Sequence, residues 1–247
     1  MKKRILILSA NPKDTTRLRI DEEVEEIQKS LERSKHREAI EVVSRLAVRV
    51  DDLIYFITQY APTVVHFSGH GLGTDGIILE NASGQTQLVS TESLAALFDG
   101  FRDRVECVLL NACYSEAQAK AIYNHINCII GMIASIEDGA SVKFSKGFYD
   151  ALFSGESYKN AFELGCRNIE LNSIPQSSIP VIKIRKDIRF IEIEKTTKLN
   201  ELKMIETGYS NTQSGEKNVN HQGNNISGKL NNNTGSFNNN SGSFTVS

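Results

Sequence analysis

The strongest constraint on the fold is an alternation that runs from about residue 4 to residue 184. Short β-branched apolar runs are separated there by longer amphipathic stretches. Unbroken apolar runs suit strands that are buried on both faces, and amphipathic stretches suit the helices that cover them. With 40% hydrophobic residues, the 247-residue chain has enough apolar side chains for a real core. We therefore predict an α/β protein, a three-layer α/β/α sandwich with a mostly parallel sheet.

The alternation predicts individual strands and helices. The predicted strands are residues 5–10, 39–46, 63–69, 105–112, 128–134 and 179–184. The predicted helices are residues 20–33, 50–60, 91–101, 116–126, 142–155 and 158–171. The sequence of residues 75–90 predicts a hairpin with Asn-Ala-Ser-Gly at its turn. This hairpin lies between the third predicted strand and the helix that follows it. This hairpin flanks whatever site the third strand supplies.

Charge and cysteine content disfavour several classes of partner. The formal net charge of -2 and the pI near 6.2 provide no broad basic surface for nucleic acid or an anionic membrane. No apolar run approaches the roughly 20 residues that span a bilayer, and the opening MKKRILILSANP lacks a signal cleavage site. We therefore expect a cytoplasmic protein. The four cysteines have neither paired metal-binding spacing nor the density of a disulfide scaffold, so no metal is predicted.

Polar residues of catalytic type follow two of the predicted strands. HFSGHG (66–71) ends the third strand, and LLNACYS (109–115) ends the fourth. If these strands are parallel neighbours, His70 and Cys113 emerge at the same carboxyl edge, where open α/β sheets place their sites. A thiol beside an imidazole is a nucleophile beside its base, because a nearby imidazolium favours the reactive thiolate. The pair therefore predicts nucleophilic catalysis.

Glycines flank the candidate base. Gly69 and Gly71 remove Cβ atoms on both sides of His70, so that a substrate backbone can approach. The amide N–H groups of Gly71 and Cys113 are candidates for an oxyanion hole. Taken singly, a histidine at a strand end or a cysteine after an apolar run is more often structural than catalytic. The combination favours catalysis.

The remaining histidines and cysteines are expected to be structural. His66 lies four positions before His70 and is expected to be a buried core residue. We expect packing roles for Cys107, Cys128 and Cys166, and surface positions for His36, His125 and His221.

Separated blocks of the sequence resemble one known family. VVHFSGHG, VECVLLNACYSEAQAKAI and the opening ILILSANPKDTTRLRIDEEVEEIQKSL are similar to the CHAT domain, a caspase-like family of the caspase-hemoglobinase fold. The similarity is to a bacterial branch common in cyanobacteria and spans roughly residues 4 to 184. It implies an endopeptidase that acts on protein substrates without a metal cofactor, with His70 as general base and Cys113 as nucleophile. The chain shows no tetratricopeptide repeat, unlike the arrangement that gave the family its name.

Three residues near the same edge are candidates for substrate binding. Asp75 follows His70 in the chain, and Asp138 follows the fifth strand; if either lines the pocket, a basic substrate residue would be preferred. Both are also common turn residues, so this alternative stays open. Arg19 follows the first strand with other charged residues, which also fits a charged helix start.

The sequence divides into three parts. Residues 1–190 are the predicted peptidase domain, 191–217 a charged connector, and 218–247 an asparagine-rich tail. The tail repeats at a period of seven, as NNISGKL, NNNTGSF and NNNSGSF. Such units either stack in register as an amyloid-like oligomerisation motif or form a disordered linker. The first alternative predicts self-assembly and a sensor or activator protein that carries a matching motif.

The combined interpretation is a cysteine endopeptidase that acts as the effector of a bacterial defence or regulated cell-death system. The first alternative is a non-catalytic scaffold with the same fold, whose tail recruits partners. A second alternative is another cysteine-dependent hydrolase such as an amidotransferase. That class commonly places glycine on both sides of the cysteine, whereas Ala112 and Tyr114 stand here.

Overall fold

The computed structural model describes residues 2–191. The predicted connector, apart from residue 191, and the predicted tail lie outside the described residues, so both stay predictions. The strands are β1 (Lys3–Ser9), β2 (Ile40–Arg45), β3 (Val64–Ser68), β4 (Gly76–Glu80), β5 (Thr86–Ser90), β6 (Cys107–Asn111), β7 (Cys128–Met132) and β8 (Pro180–Ile184). The helices are α1 (Ile20–Arg33), α2 (Asp52–Tyr60), α3 (Thr91–Asp99), α4 (Glu116–Ile122), α5 (Asp138–Phe153) and α6 (Tyr158–Leu171), with a short 3-10 helix at Arg37–Ala39.

The central sheet has six strands in the order β2-β1-β3-β6-β7-β8. The first five are mutually parallel, and β8 pairs antiparallel with β7 at one edge. Strands β3 and β6 are therefore parallel neighbours at the centre of the sheet, although the hairpin and α3 separate them along the chain. This arrangement confirms the predicted α/β class with its mostly parallel sheet.

Two layers of helices cover the sheet because successive strand residues point to opposite faces. In β1, Ile5 and Ile7 pack with α1, α5 and α6, whereas Leu6 and Leu8 pack with α2, α3 and α4. All four side chains are almost fully buried. The strands therefore lie between two apolar cores, as unbroken apolar runs require.

Helix α5 begins at Asp138, four residues before the predicted start. The predicted helix began at Val142, and the residues just before it include Gly139 and Ser141, which are weak helix formers. An aspartate in the first turn stabilises the helix by facing its positive end. The earlier start places Asp138 beside the carboxyl edge of the sheet.

Helix α4 ends at Ile122, earlier than the predicted 126. Turns replace its last predicted turn, and Ile126 stays fully buried. The apolar periodicity of this segment therefore indicates that Ile126 is buried, not that the helix continues to it. Among the helices of residues 2–191, none combines the length and apolarity that a bilayer crossing requires.

Strands β4 and β5 form the predicted hairpin, outside the main sheet. A single bridge between Gly71 and Ile77 joins it to the segment that follows β3. The amide of Ile78 donates to the carbonyl of His70 at 3.0 Å, and the amide of Leu72 donates to Gly76 at 2.9 Å. The hairpin thus holds the backbone of His70 from one side.

Candidate active site

His70 and Cys113 emerge side by side from neighbouring strands. Ser68 at the end of β3 is in register with Asn111 at the end of β6, and the two candidate residues each lie two positions further on. The amide of Gly69 donates to the carbonyl of Asn111 at 3.3 Å, so the strands stay paired up to that point. Both candidates are partly exposed. The structure therefore brings them to the same edge of the sheet.

Gly71 permits the closest approach between the two segments. A Cβ atom at this position would stand less than 3.0 Å from the carbonyl oxygen of Cys113, a separation that real side chains do not show. Only glycine fits here without displacing backbone.

The ring of His70 is held by a backbone carbonyl. Its Nε2 lies 2.9 Å from the carbonyl oxygen of Thr16, in the loop between β1 and α1. A carbonyl only accepts, so Nε2 carries the hydrogen and Nδ1 is left as the basic nitrogen. Asn11 braces this loop, because its side chain accepts from the amide of Leu18 and donates to the carbonyl of Leu18, each at 3.2 Å.

The thiol of Cys113 contacts the loop after β7. Its Sγ lies 3.5 Å from the hydroxyl oxygen of Ser135 and 3.8 Å from the carbonyl oxygen of Ile136. Among the hydrogen bonds of residues 2–191, none joins this thiol to His70. Hydrogen bonds between catalytic groups are often long or absent until substrate binds, so this geometry does not exclude the predicted pair.

Two backbone amides next to the thiol are free to donate. Gly71 lies opposite Ile77 in a non-hydrogen-bonded pair, because the hydrogen bonds to the hairpin are made by the residues on either side of Gly71. The N–H of Gly71 therefore points away from the hairpin. Within the described part of the chain, neither this amide nor that of Cys113 donates to another protein group. Within residues 2–191, both predicted oxyanion donors are therefore without a protein acceptor.

A sharp turn follows the cysteine. Tyr114 has a left-handed backbone with φ of 56°, which is uncommon for a residue other than glycine. Its amide donates to the carbonyl of Ala134 at 3.2 Å. The hydroxyl of Ser115 donates to the carbonyl of Leu110 and accepts from the amide of Met132, each at 2.9 Å. The turn is thereby locked to the ends of β6 and β7.

A small cleft, open to solvent, lies beside the thiol. It is lined by Leu18, Arg19, Ile20, Glu23, Ser68, Gly69, Asn111, Ala112, Cys113, Ile136, Asp138 and Ser141. Two of the three predicted substrate-binding residues, Arg19 and Asp138, are among them. The carboxylate of Asp138 accepts from the backbone amide of Arg19 at 3.2 Å, and the Arg19 side chain pairs with Glu22. Asp75 lies instead in an exposed turn outside this cleft.

Glu23 is a buried carboxylate at the floor of the cleft, and its side chain is only 3% exposed. It accepts hydrogen bonds from Ser68, Asn111 and Ser145, and its Oε1 lies 3.2 Å from Nε2 of His66, off the ideal hydrogen-bonding direction. Burial alone would raise the pKa of the Glu23 carboxyl. The electrostatic interaction with the facing His66 imidazole and the hydrogen bonds outweigh burial, so the pKa of Glu23 lies below its ordinary value of 4.5.

His66 is fully buried, as expected, but its surroundings are polar. Its Nδ1 lies 3.0 Å from the hydroxyl of Tyr149, which belongs to α5, and its other nitrogen faces Glu23. The sequence offered no signal for this network, because Glu23 and Tyr149 lie in other helices and each looks like an ordinary helix residue. The imidazole is thus part of a buried polar network rather than an apolar core.

The other cysteines differ from Cys113. Cys107 and Cys128 are fully buried, and burial raises the pKa of the Cys107 thiol well above its ordinary value. Cys166 is partly buried, and burial together with the negative charge of Glu170 raises its pKa to about 11. The raised pKa values keep the thiols of Cys107 and Cys166 in the unreactive protonated form, and burial shields Cys128 from solvent, consistent with packing roles for all three.

Comparisons with known proteins agree on the type of domain. Residues 2–164 match the family model described as the CHAT domain. A Roc-COR-CHAT protease from an unknown prokaryotic organism is 28% identical over 161 residues, which cover 62% of this chain and 15% of that protein. A probable protease from Gillisia limnaea is 26% identical over 174 residues, or 70% of this chain and 30% of that protein. The chain thus spans under a third of the length of the curated relatives that it matches.

The fold also has a counterpart among solved structures. Caspase-1 from Spodoptera frugiperda superposes with a TM-score of 0.52 at 12% identity, over 78% of this chain and 91% of that one. At this identity the likeness shows the fold alone, and that fold is caspase-like. The family model covers well over half of the sequence and includes both His70 and Cys113. The chain belongs to the CHAT domain family.

Proposed function

We propose that this protein is a cysteine endopeptidase in which His70 is the general base and Cys113 the nucleophile. The observation that carries the proposal is the register of β3 and β6, which brings both residues to one edge. The protease relatives of the CHAT family support the same chemistry. The hydrogen bond from His70 to the Thr16 carbonyl leaves Nδ1 as the nitrogen that accepts the thiol proton.

The reaction follows from these positions. The thiol turns from Ile136, transfers its proton to Nδ1 of His70, and the sulfur attacks the carbonyl carbon of the scissile peptide bond. The negative oxygen that forms is held by the amides of Gly71 and Cys113. The imidazolium then protonates the leaving amine as the carbon–nitrogen bond breaks. A water molecule, deprotonated by the same imidazole, hydrolyses the thioester and restores the thiol.

We further propose a preference for a basic residue before the cleaved bond. The cleft beside Cys113 holds the carboxylate of Asp138 at its wall, whereas the Arg19 side chain is engaged by Glu22. A lysine or arginine side chain would find an acidic partner there. Asp75 stays a weaker candidate, because it lies outside this cleft.

A peptide-library cleavage assay tests the peptidase proposal. The wild type is compared with Cys113→Ala and His70→Ala, each with and without forced clustering of the protein. We expect cleavage by the wild type alone, with clustering increasing the rate. Equal cleavage by all three proteins would end the proposal.

One observation favours a second candidate function, a non-catalytic scaffold. The Cys113 thiol contacts Ser135 and Ile136 rather than His70. In a scaffold this arrangement would be permanent. A scaffold predicts that Cys113→Ala keeps the full biological effect of the protein, whereas a peptidase predicts its loss.

The tail, residues 218–247, is proposed to cluster the domain. Its seven-residue units carry asparagine, glycine and one apolar side chain, a composition that suits in-register stacking. Clustering raises the local concentration of the peptidase and would switch it on by proximity, with a sensor or activator that carries a matching motif. Fibre formation by a peptide of residues 218–247, followed by amyloid-dye binding, tests this; a persistently monomeric peptide counts against it.

An effector role in bacterial defence or regulated cell death completes the proposal. It rests on the combination of a peptidase-type domain with a tail that suits triggered assembly. Induced expression in a bacterial host should arrest growth for the wild type and not for Cys113→Ala. Growth arrest by both proteins would point to a cause other than proteolysis.

A further inference from the structure

A buried polar cluster lies directly beneath the candidate catalytic pair. It consists of Glu23 from α1, His66 and Ser68 from β3, Asn111 from β6, and Ser145 and Tyr149 from α5. Apart from the Tyr149 hydroxyl, which contacts His66, every member faces the carboxylate of Glu23. All six residues are buried to better than nine-tenths. This cluster has no part in the proposed reaction itself.

The carboxylate joins the two strands that carry the candidate catalytic residues. One oxygen accepts from the hydroxyl of Ser68, and the other accepts from the side-chain amide of Asn111 at 2.5 Å. Ser68 and Asn111 are direct partners across the sheet. From each of them the chain runs only two residues to His70 or Cys113. This one side chain therefore braces the ends of the two paired strands against each other.

The chemistry of the cluster requires a carboxylate. Ser68, Asn111, Ser145 and His66 all present donors to Glu23, and an ionised carboxylate accepts at both oxygens, whereas an amide would place a donor among them. The imidazole of His66 faces the same carboxylate, with Nε2 3.2 Å from Oε1. Although Glu23 lines the cleft, its acceptor positions are occupied. It is therefore poorly placed to bind a basic substrate side chain, unlike Asp138.

We propose that Glu23 is a positioning residue that sets the spacing of His70 and Cys113 by tying the ends of β3 and β6 to one buried carboxylate. The inference rests on the proposed peptidase function. It assigns to Glu23 a role in the rate of the chemical step rather than in the binding of substrate.

The test compares Glu23→Gln with Glu25→Gln in the full chain. Glu25 lies on the same helix, but its side chain is 64% exposed and, among residues 2–191, forms an ion pair with Lys29 alone. We expect Glu23→Gln to lower kcat by about 10- to 100-fold, because displacements near 1 Å cost rates of that order, with KM changed less than about threefold. Glu25→Gln should leave both constants at the wild-type values.

A second readout does not depend on peptidase turnover. Alkylation of Cys113 by iodoacetamide, resolved by peptide mass spectrometry at about pH 7.5, reports whether an imidazole still supports the thiolate. The titratable side chains near this thiol are His70, Arg19, Glu23 and Asp138, with His66 behind Glu23, and the substitution replaces only Glu23. Loss of a negative charge alone would speed alkylation, because it favours the thiolate. Loss of positioning slows it, so the two effects have opposite signs.

The outcomes separate this inference from the proposed function. Unchanged kcat and unchanged or faster alkylation in folded Glu23→Gln overturn the positioning role, even if the wild type is an active peptidase. If the wild type cleaves nothing, slower alkylation of Cys113 still supports the positioning role, while the peptidase proposal fails on its own assay.

A second pair of variants carries the test if Glu23→Gln does not fold. Ser68→Ala cuts the tie of the carboxylate to β3, whereas Ser145→Ala cuts its tie to α5 and removes a weaker 3.3 Å bond from Asn111, leaving the bond from Asn111 to Glu23 in place. We expect a fall in kcat of at least about tenfold for Ser68→Ala and less than about threefold for Ser145→Ala. Equal effects of the two variants would show that the cluster acts on stability alone and would overturn the inference.

Discussion

The backbone of Gly71 lies against the carbonyl group of Cys113, in a space that no Cβ atom can enter. This contact brings the segment after β3 within reach of the segment after β6. The donor amides proposed for the oxyanion belong to these same two residues. The close approach of two backbones therefore determines the geometry of the site as much as any side chain does.

Replacing Gly71 by alanine should disable the site. The new methyl group would overlap the Cys113 carbonyl, so one of the two segments must move, and the proposed oxyanion donors separate. We expect kcat to fall by at least about 100-fold, the usual effect of losing one such donor. Kinetic assay of Gly71→Ala, with a thermal melt to check folding, measures this.

Gly139→Ala is the matched control, because a Cβ atom there meets nothing within 4 Å in the described part of the chain and alanine is favoured within a helix. This variant should keep wild-type activity and stability. Full activity in Gly71→Ala would contradict the proposed role of the backbone contact.

Asp138→Asn should reduce cleavage after basic residues. The substitution removes the carboxylate charge at the cleft wall but keeps an oxygen that accepts from the amide of Arg19. We expect kcat/KM for lysine or arginine substrates to fall by about tenfold or more, since one charged hydrogen bond is worth about 1.5 kcal/mol or more. Substrates with neutral residues at that position should change little.

Asp75→Asn provides the comparison for this prediction, since it makes the same change in an exposed turn outside the cleft. It should leave the preference intact. A loss of basic preference in Asp75→Asn, with none in Asp138→Asn, would reverse the assignment of the two aspartates.

Stability should fall in acid through Glu23. Its pKa in the folded protein lies below the ordinary value of 4.5, so the unfolded chain binds the proton more readily. The stabilising contribution is therefore complete above about pH 4.5 and is lost as the pH falls through the lowered pKa. Urea unfolding of the wild type and Glu23→Gln, from about pH 7 to pH 3, checks this.

We expect the wild type to be more stable than Glu23→Gln by about 3 kcal/mol near pH 7, because the variant leaves His66 without its buried partner. This difference should shrink in acid. Glu25→Gln should follow the wild-type curve throughout. A wild-type advantage that stays constant down to about pH 3 would show that Glu23 is not ionised in the folded protein.

The thiols should differ in reactivity. Cys166 has a pKa raised to about 11, so it stays protonated below about pH 9 and should resist iodoacetamide there. Cys107 and Cys128 are buried and should react only on unfolding. Peptide mass spectrometry after brief alkylation at about pH 8 should therefore find label mainly on Cys113. Faster labelling of Cys166 than of Cys113 would contradict this order.

The sequence by itself determined the layered fold and the edge of the sheet at which a site forms. Apolar runs of strand length, separated by amphipathic stretches, leave few arrangements other than a sheet with helices on both faces. The polar residues after two of those runs, His70 and Cys113, marked the carboxyl edge. Gly71 was recognisable for a similar reason, since a glycine beside a candidate catalytic residue indicates close backbone approach.

Only the tertiary structure decided which groups complete the site. The carbonyl of Thr16 that holds His70 has no sequence signature, because every residue carries a carbonyl. The inclusion of Asp138 in the cleft, and the position of Asp75 outside it, depend on where α5 begins and how the hairpin turns. His66 was expected to be a buried core residue and is buried, but its polar partners Glu23 and Tyr149 come from helices distant in sequence. Local pattern specifies burial and backbone shape, whereas contacts between distant segments exist only once the chain has folded.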